Sequence, residues 1–243
     1  IREAIGNYPG RFAGLAHVPP LGGEASHLEL ERASRELGFK GVAIESDIHG
    51  VTLDSRELWP FYERVQGLGL FIFVHPSLKT LGAEMMTDYD LARSVGREFG
   101  LVMATIRLIN GGVLDDFPGL RVHMSHLGGG VAALMGRIRS YQDKEFWGTA
   151  GDVRHGKLPR RPFDEYFEQI YFDTGGFCGN INAVRSALLE MKPSQILFGT
   201  DYPQEIRSGT EVRAFIDDIR RMPIPQPDIE GILAENGRRL LGV

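Results

Sequence analysis

Phe71-Ile72-Phe73-Val74-His75-Pro76 is the segment on which the fold turns. Its four uninterrupted apolar residues read as a strand buried on both faces. The run stops on an imidazole, and proline then withholds the next backbone donor. Ile196-Leu197-Phe198-Gly199-Thr200-Asp201-Tyr202-Pro203 repeats the pattern with a carboxylate, and residues 120–130 repeat it with His126 before Gly128-Gly129-Gly130. Three short apolar strands that end on ionisable side chains predict a β/α barrel, where the C-terminal ends of parallel strands converge on one rim.

Outward from these segments, strand-like runs alternate with amphipathic ones. The strand-like runs are 12–18, 41–45, 70–74, 121–125, 170–173 and 196–199. Helical spacing marks 28–37, 55–65, 91–99, 131–141, 181–191, 211–221 and 229–241; Leu58, Phe61, Tyr62 and Val65 show it clearly. Such alternation implies βαβ units and a parallel sheet. Six strands are two short of a closed barrel of about eight. The expected fold class is therefore α/β, a (β/α)8 TIM-barrel-like fold with its first two strands absent from this chain. An open doubly wound sheet is the alternative. No repeat or linker divides the chain, so residues 1–243 are expected to form a single domain. Residues 144–162, rich in Gly, Pro and charge, read as a long loop beside the site, and Pro223, Pro225 and Pro227 separate the last two helices. Ile1-Arg2-Glu3-Ala4 reads like the middle of a helix, which suggests a chain that begins inside a longer parent.

With 243 residues the chain can bury a large core. A formal net charge of −5 gives no overall drive toward nucleic acid, although a local basic pocket for an anionic substrate is compatible with it. No apolar run is long enough to span a bilayer, and the first residues carry no signal-peptide pattern. Cys178 is the sole cysteine, which excludes an intramolecular disulfide and fits a reducing compartment. A cytoplasmic location with no membrane or nucleic-acid partner is the expectation.

Each candidate residue has a chemical and a structural reading. His75 suits Zn²⁺, Fe²⁺ or Mn²⁺, or is a histidine hydrogen-bonded within the barrel layer. Asp201 can ligate a metal or orient a water, or simply make a turn. His126 can act as an acid/base, with its unperturbed pKa near neutrality. The glycines after it either let backbone approach a ligand or only turn the chain. His123, two residues earlier, faces the same side of the strand at greater depth and reads as structural. Arg137 can clamp a substrate carboxylate or form a surface ion pair. His49 could line the pocket, while His17, His27 and His155 read as surface or loop residues. Cys178 has no Cys-His-Asn setting, and no Walker or dinucleotide glycine pattern occurs.

Several of these motifs, taken together, are similar to a known family. They are Glu36-Leu37-Gly38-Phe39, Phe73-Val74-His75-Pro76, Phe117-Pro118, His126 with its glycines, Gly136-Arg137-Ile138, Gly199-Thr200-Asp201-Tyr202-Pro203 and residues 236–241. From about Pro9 to its end the chain resembles the amidohydrolase superfamily. The branch is amidohydrolase-2, which holds 2-amino-3-carboxymuconate-6-semialdehyde decarboxylase and related aromatic acid decarboxylases. The resemblance implies that His75 is the metal-binding histidine of the fifth strand and Asp201 the metal-binding aspartate of the eighth. It implies that His126 is the catalytic histidine of the sixth, and that Arg137 reaches the substrate carboxylate in a neighbouring subunit, hence a functional homodimer. The implied activity is metal-dependent, non-oxidative decarboxylation of an unsaturated or aromatic carboxylic acid. The implied cofactor is one divalent ion, Zn²⁺, with Mn²⁺ the alternative. The chain departs from the family in one respect: the His-x-His pair that supplies two metal ligands from the first strand does not occur in it. A hydrolase or hydratase of the same superfamily, and a catalytically degenerate barrel that only binds, are the remaining readings.

Overall fold

The computed structural model describes residues 1–79, 82–142 and 159–243. Most of the loop expected over 144–162, including His155, lies outside the described residues. In chain order the strands are β1 (Leu15–His17), β2 (Gly41–Glu45), β3 (Asp47–Ile48), β4 (Val51–Thr52), β5 (Phe71–His75), β6 (Arg121–Met124), β7 (Tyr171–Asp173) and β8 (Ile196–Leu197). Six of them form one sheet in the order β1-β2-β5-β6-β7-β8, every neighbouring pair parallel. These are the six strands that the apolar runs predict. β3 and β4 make a small antiparallel hairpin. Its tip is His49-Gly50, both at positive φ, and the Gly50 amide donates to Asp47 Oδ1 at 2.8 Å.

Register brings the reactive strand ends to one level. Glu45 of β2 stands beside His75 of β5, Val74 beside Met124 of β6, and Phe172 of β7 beside Ile196 of β8. Val42, Ile44, Ile72, Val74, Val122, Met124, Phe172 and Ile196 are all buried and belong to one core with the flanking helices. Each fully buried side chain of this size contributes about 1.5–3 kcal/mol before entropy is charged against it.

The helices follow the expected order with one large extension. The segment expected over 91–99 continues as a helix through Arg97–Asn110. Leu101, Val102, Ala104, Thr105, Leu108 and Ile109 are buried there. An apolar face this broad blurs the polar contrast that marks an amphipathic helix. Ser208 and Glu211 form a reciprocal capping box that starts the helix Gly209–Arg220. The prolines do separate that helix from the C-terminal succession Gln226–Glu230, Gly231–Glu235 and Asn236–Leu241. Buried Asn236 ties the last segment to the sheet by donating 2.8 Å hydrogen bonds to the carbonyls of Pro193 and Ile196. No helix among the described residues is long and apolar enough to cross a membrane.

Candidate metal centre

β5, β6 and β8 each deliver one side chain to the same point at the C-terminal end of the sheet. His75 is the last residue of β5. His126 follows β6 after Ser125, whose hydroxyl donates to the Val74 carbonyl at 2.9 Å and so ties the two strand ends together. Asp201 lies beyond β8 and has a left-handed backbone, φ 46°. One donor atom from each of these three residues lies within 4.8 Å of the other two. The rings of His75 and His126 meet edge to face, 6.1 Å between centroids.

His126 is the most constrained of the three. Residues 126–130 all have positive φ, running through His126 (53°), Leu127 (49°), Gly128 (63°), Gly129 (68°) and Gly130 (78°). The glycines make this left-handed turn affordable, and two of them are also required by close approach. A Cβ on Gly129 would sit 2.0 Å from the Glu98 carbonyl oxygen, so the turn lies directly against the start of the helix Arg97–Asn110. Gly176, φ 80°, underlies the imidazole: a Cβ there would stand 2.1 Å from His126 Cγ. Gly176→Ala therefore combines a clash with backbone strain and is expected to cost about 1–3 kcal/mol. Urea unfolding of the variant against the parent measures this, and unchanged stability would refute the packing described.

Two carboxylates hold His126 from other directions. Glu98 Oε1 lies 3.0 Å from His126 Nδ1. Buried Asp173, at the end of β7, accepts from the His126 amide at 3.2 Å and from the Gly175 amide at 2.8 Å through Oδ1. Its Oδ2 lies 2.8 Å from His123 Nε2. Burial opposes charge on His126, but the hydrogen bond and charge of Glu98, with Asp173 and Asp201, outweigh it and hold the imidazole pKa above its ordinary value. His75 goes the other way: burial, then the charges of His126 and Arg97, push its pKa down against the pull of Asp201. Burial also opposes ionisation of Asp173, yet His123, His126 and the Gly175 amide more than compensate and keep its carboxyl below the usual range.

The donor set suits a divalent cation. His126 Nε2 faces Asp201 Oδ2 across 3.9 Å, too far for a hydrogen bond. Glu98 Oε2 is shielded from solvent and has no partner. The His75 imidazole and the Asp201 carboxylate converge without bonding one another and match the nitrogen and oxygen ligands of Zn²⁺ or Mn²⁺, with the His126 ring beside them. Two donors about 2.1 Å from one ion stand at most about 4.2 Å apart, so small rotamer changes would close the set.

Of the residues singled out by sequence, His75, His126 and Asp201 are brought together. Arg137 is not among them. It is exposed on the helix Met135–Gln142, with Nη2 3.2 Å from the Tyr141 hydroxyl and the guanidinium over the Tyr141 ring. His49 is exposed at the hairpin tip and does not join the cluster. His123 is structural in its contacts, packing on Phe73 and pairing with Asp173. The thiol of Cys178 is pushed up by burial and by Glu205, which argues against a thiolate nucleophile. Sequence reasoning passed over Glu98 and Asp173.

Known proteins resemble this chain in sequence or in fold. 2-amino-3-carboxymuconate-6-semialdehyde decarboxylase of Dictyostelium discoideum is 30% identical over 203 residues, covering 84% of this chain and 54% of that protein. 2-keto-4-carboxy-3-hexenedioate hydratase of Sphingobium sp. is 31% identical over 157 residues, covering 59% of this chain and 42% of that protein. The chain thus spans about half the length of these relatives. A dihydroxybenzoic acid decarboxylase from Polaromonas sp. JS666, solved with bound manganese and the inhibitor 2-nitroresorcinol, superposes with a TM-score of 0.82 at 25% identity. That superposition covers 99% of this chain and 72% of the other. The fold is accordingly that of the TIM-barrel amidohydrolases, of which this chain supplies six parallel strands. The amidohydrolase family model (Amidohydro_2) matches residues 1–243, and the chain belongs to that family.

Proposed function

We propose that the protein is a metal-dependent, non-oxidative decarboxylase of an unsaturated or aromatic carboxylic acid. The observation that carries this reading is the convergence of His75, His126 and Asp201 at three strand ends, with Glu98 bonded to the far nitrogen of His126. His75 and Asp201 would hold one divalent cation. Zn²⁺ is our first assignment, and Mn²⁺, the ion in the Polaromonas enzyme, is the alternative. When bound, the ion would supply Lewis acidity toward oxygen atoms of the substrate.

The chain's own residues would do the proton chemistry. Glu98 accepts from His126 Nδ1 and thereby turns Nε2 toward the open space beside Asp201. The surrounding carboxylates favour the protonated ring, so His126 is equipped as a proton donor near neutrality. It would deliver its Nε2 proton to the carbon that bears the departing carboxylate. The carbon–carbon bond then breaks, its electron pair stays with the protonated framework, CO₂ leaves, and solvent reprotonates the ring. We assign Arg137, exposed in its own chain, to a neighbouring subunit's substrate, and with it a homodimer, on the family resemblance. We place the enzyme in the cytoplasm.

The second reading is a hydratase, favoured by the similarity to the Sphingobium enzyme. The same acid/base and metal ligands can add water to an alkene, and fold alone does not separate the two. The test is incubation of the metal-loaded protein with hydroxybenzoates and unsaturated dicarboxylates, following CO₂ and product mass. CO₂ release with a loss of 44 mass units, the mass of CO₂ itself, is the expected result. A gain of water without CO₂ would transfer the assignment to the hydratase, and no turnover of any member would refute both.

A further inference from the structure

Arg97 opens the helix Arg97–Asn110, one residue before Glu98. Its Nε is shielded from solvent and has no hydrogen-bond partner. Among the described residues its guanidinium enters no hydrogen bond or ion pair. Comparable arginines are satisfied: Arg139 lies between Asp164 and Glu190, Arg64 binds Glu31, and Arg121 donates to the carbonyls of Leu240 and Gly69. A shielded guanidinium donor without a partner is costly to maintain, because it forfeits its water without replacement.

The location of Arg97 is specific. Glu98, next in sequence, is bonded to His126, and its carbonyl abuts the turn at Gly129. A Cβ on Gly100 would lie 3.1 Å from Ser46 Oγ, just past β2. The first turn of this helix therefore sits between the loops that follow β2 and β6, and the charge of Arg97 is felt at His75. A planar, permanently charged fork at this place calls for a carboxylate.

Which carboxylate follows from the direction of catalysis. A charge-assisted pair stabilises the ground state of the group it holds, and CO₂ carries no such charge. Pairing Arg97 with the departing carboxylate would therefore oppose the reaction. We infer that Arg97 binds a second carboxylate, one the reaction leaves in place, so that the substrate is a dicarboxylic acid whose reacting end faces His126. This rests on the decarboxylase reading above and narrows it to a substrate class.

Binding tests this apart from turnover. The metal-loaded protein is titrated by calorimetry with isophthalate and with benzoate as probes, for the parent, Arg97→Met, Arg97→Lys and Arg220→Met. A charge-assisted hydrogen bond supports an expected preference of about 10–100-fold for isophthalate in the parent. Arg97→Met should abolish that preference and leave benzoate affinity within about twofold, Arg97→Lys should recover part of it, and Arg220→Met, at an exposed helix end, should keep it. Because Arg97 has no partner to orphan, the methionine variant should melt close to the parent, which guards against loss of fold. Equal affinity for the two probes in the parent, a preference that survives Arg97→Met, or its loss in Arg220→Met as well would each overturn the inference. An Arg97-dependent preference without CO₂ release would uphold the dicarboxylate site and remove the decarboxylase reading. CO₂ release from monocarboxylates, indifferent to Arg97→Met, would do the reverse.

Discussion

His126→Asn is expected to lower CO₂ release by the metal-loaded protein by about 10²–10⁴-fold, the range a positioned acid or base contributes. Position matters here before electrostatics. His126 is buried, with Nδ1 held by Glu98 and Nε2 left facing Asp201. Asparagine is the appropriate substitute because its amide can still donate to Glu98, so that the carboxylate is not abandoned in the interior. It cannot carry a proton reversibly near neutrality. Turnover should therefore fall while the melting temperature holds. An asparagine variant that releases CO₂ at the parent rate would remove His126 from the chemistry.

Asp173→Ala is expected to produce the largest loss of stability, about 3–5 kcal/mol, the cost of removing one partner from a buried charged or strongly polar cluster. The alanine would leave the His126 and Gly175 amides and His123 Nε2 without their acceptor at once. The carboxylate also confers a pH dependence whose sign is fixed. Its folded pKa lies below the ordinary value, so the native state favours the ionised form. Its stabilisation is complete above the unfolded carboxyl value of about 3.9. It is lost as pH falls through the lower, folded value. Urea unfolding from neutrality to well below pH about 4 should show the parent keeping its advantage over Asp173→Ala above about 4 and losing it below. Parallel curves for the two proteins would contradict this.

Much of this molecule was legible before its structure. The six strands are short and buried on both faces, so their apolar runs stand out between amphipathic stretches. His75, His126 and Asp201 were visible because each ends such a run and is followed by residues that turn the chain. Asp173 obeys the same rule: it closes Tyr171-Phe172 and precedes Thr174-Gly175-Gly176. It was passed over because a carboxylate that serves its neighbours looks like any other at a strand end. Glu98 carried no signal of that kind. It sits near the start of a helix whose apolar length only burial explains, and the left-handed turn at residues 126–130 brings His126 against it. Contacts between a helix and a loop 28 positions away are not written in local periodicity. Arg97 was hidden for the same reason, since nothing in sequence tells an unpaired arginine from a paired one.

The measurement that tests the central claim most directly is the metal content of the purified chain by elemental mass spectrometry, compared with His75→Ala and Asp201→Asn. About one Zn²⁺ or Mn²⁺ per parent chain is expected, and far less in either variant, because His75 and Asp201 are the two side chains assigned to the ion and each variant removes one of them. A parent chain that retains no divalent ion after loading, or variants that keep it as well as the parent, would contradict the metal centre at these strand ends.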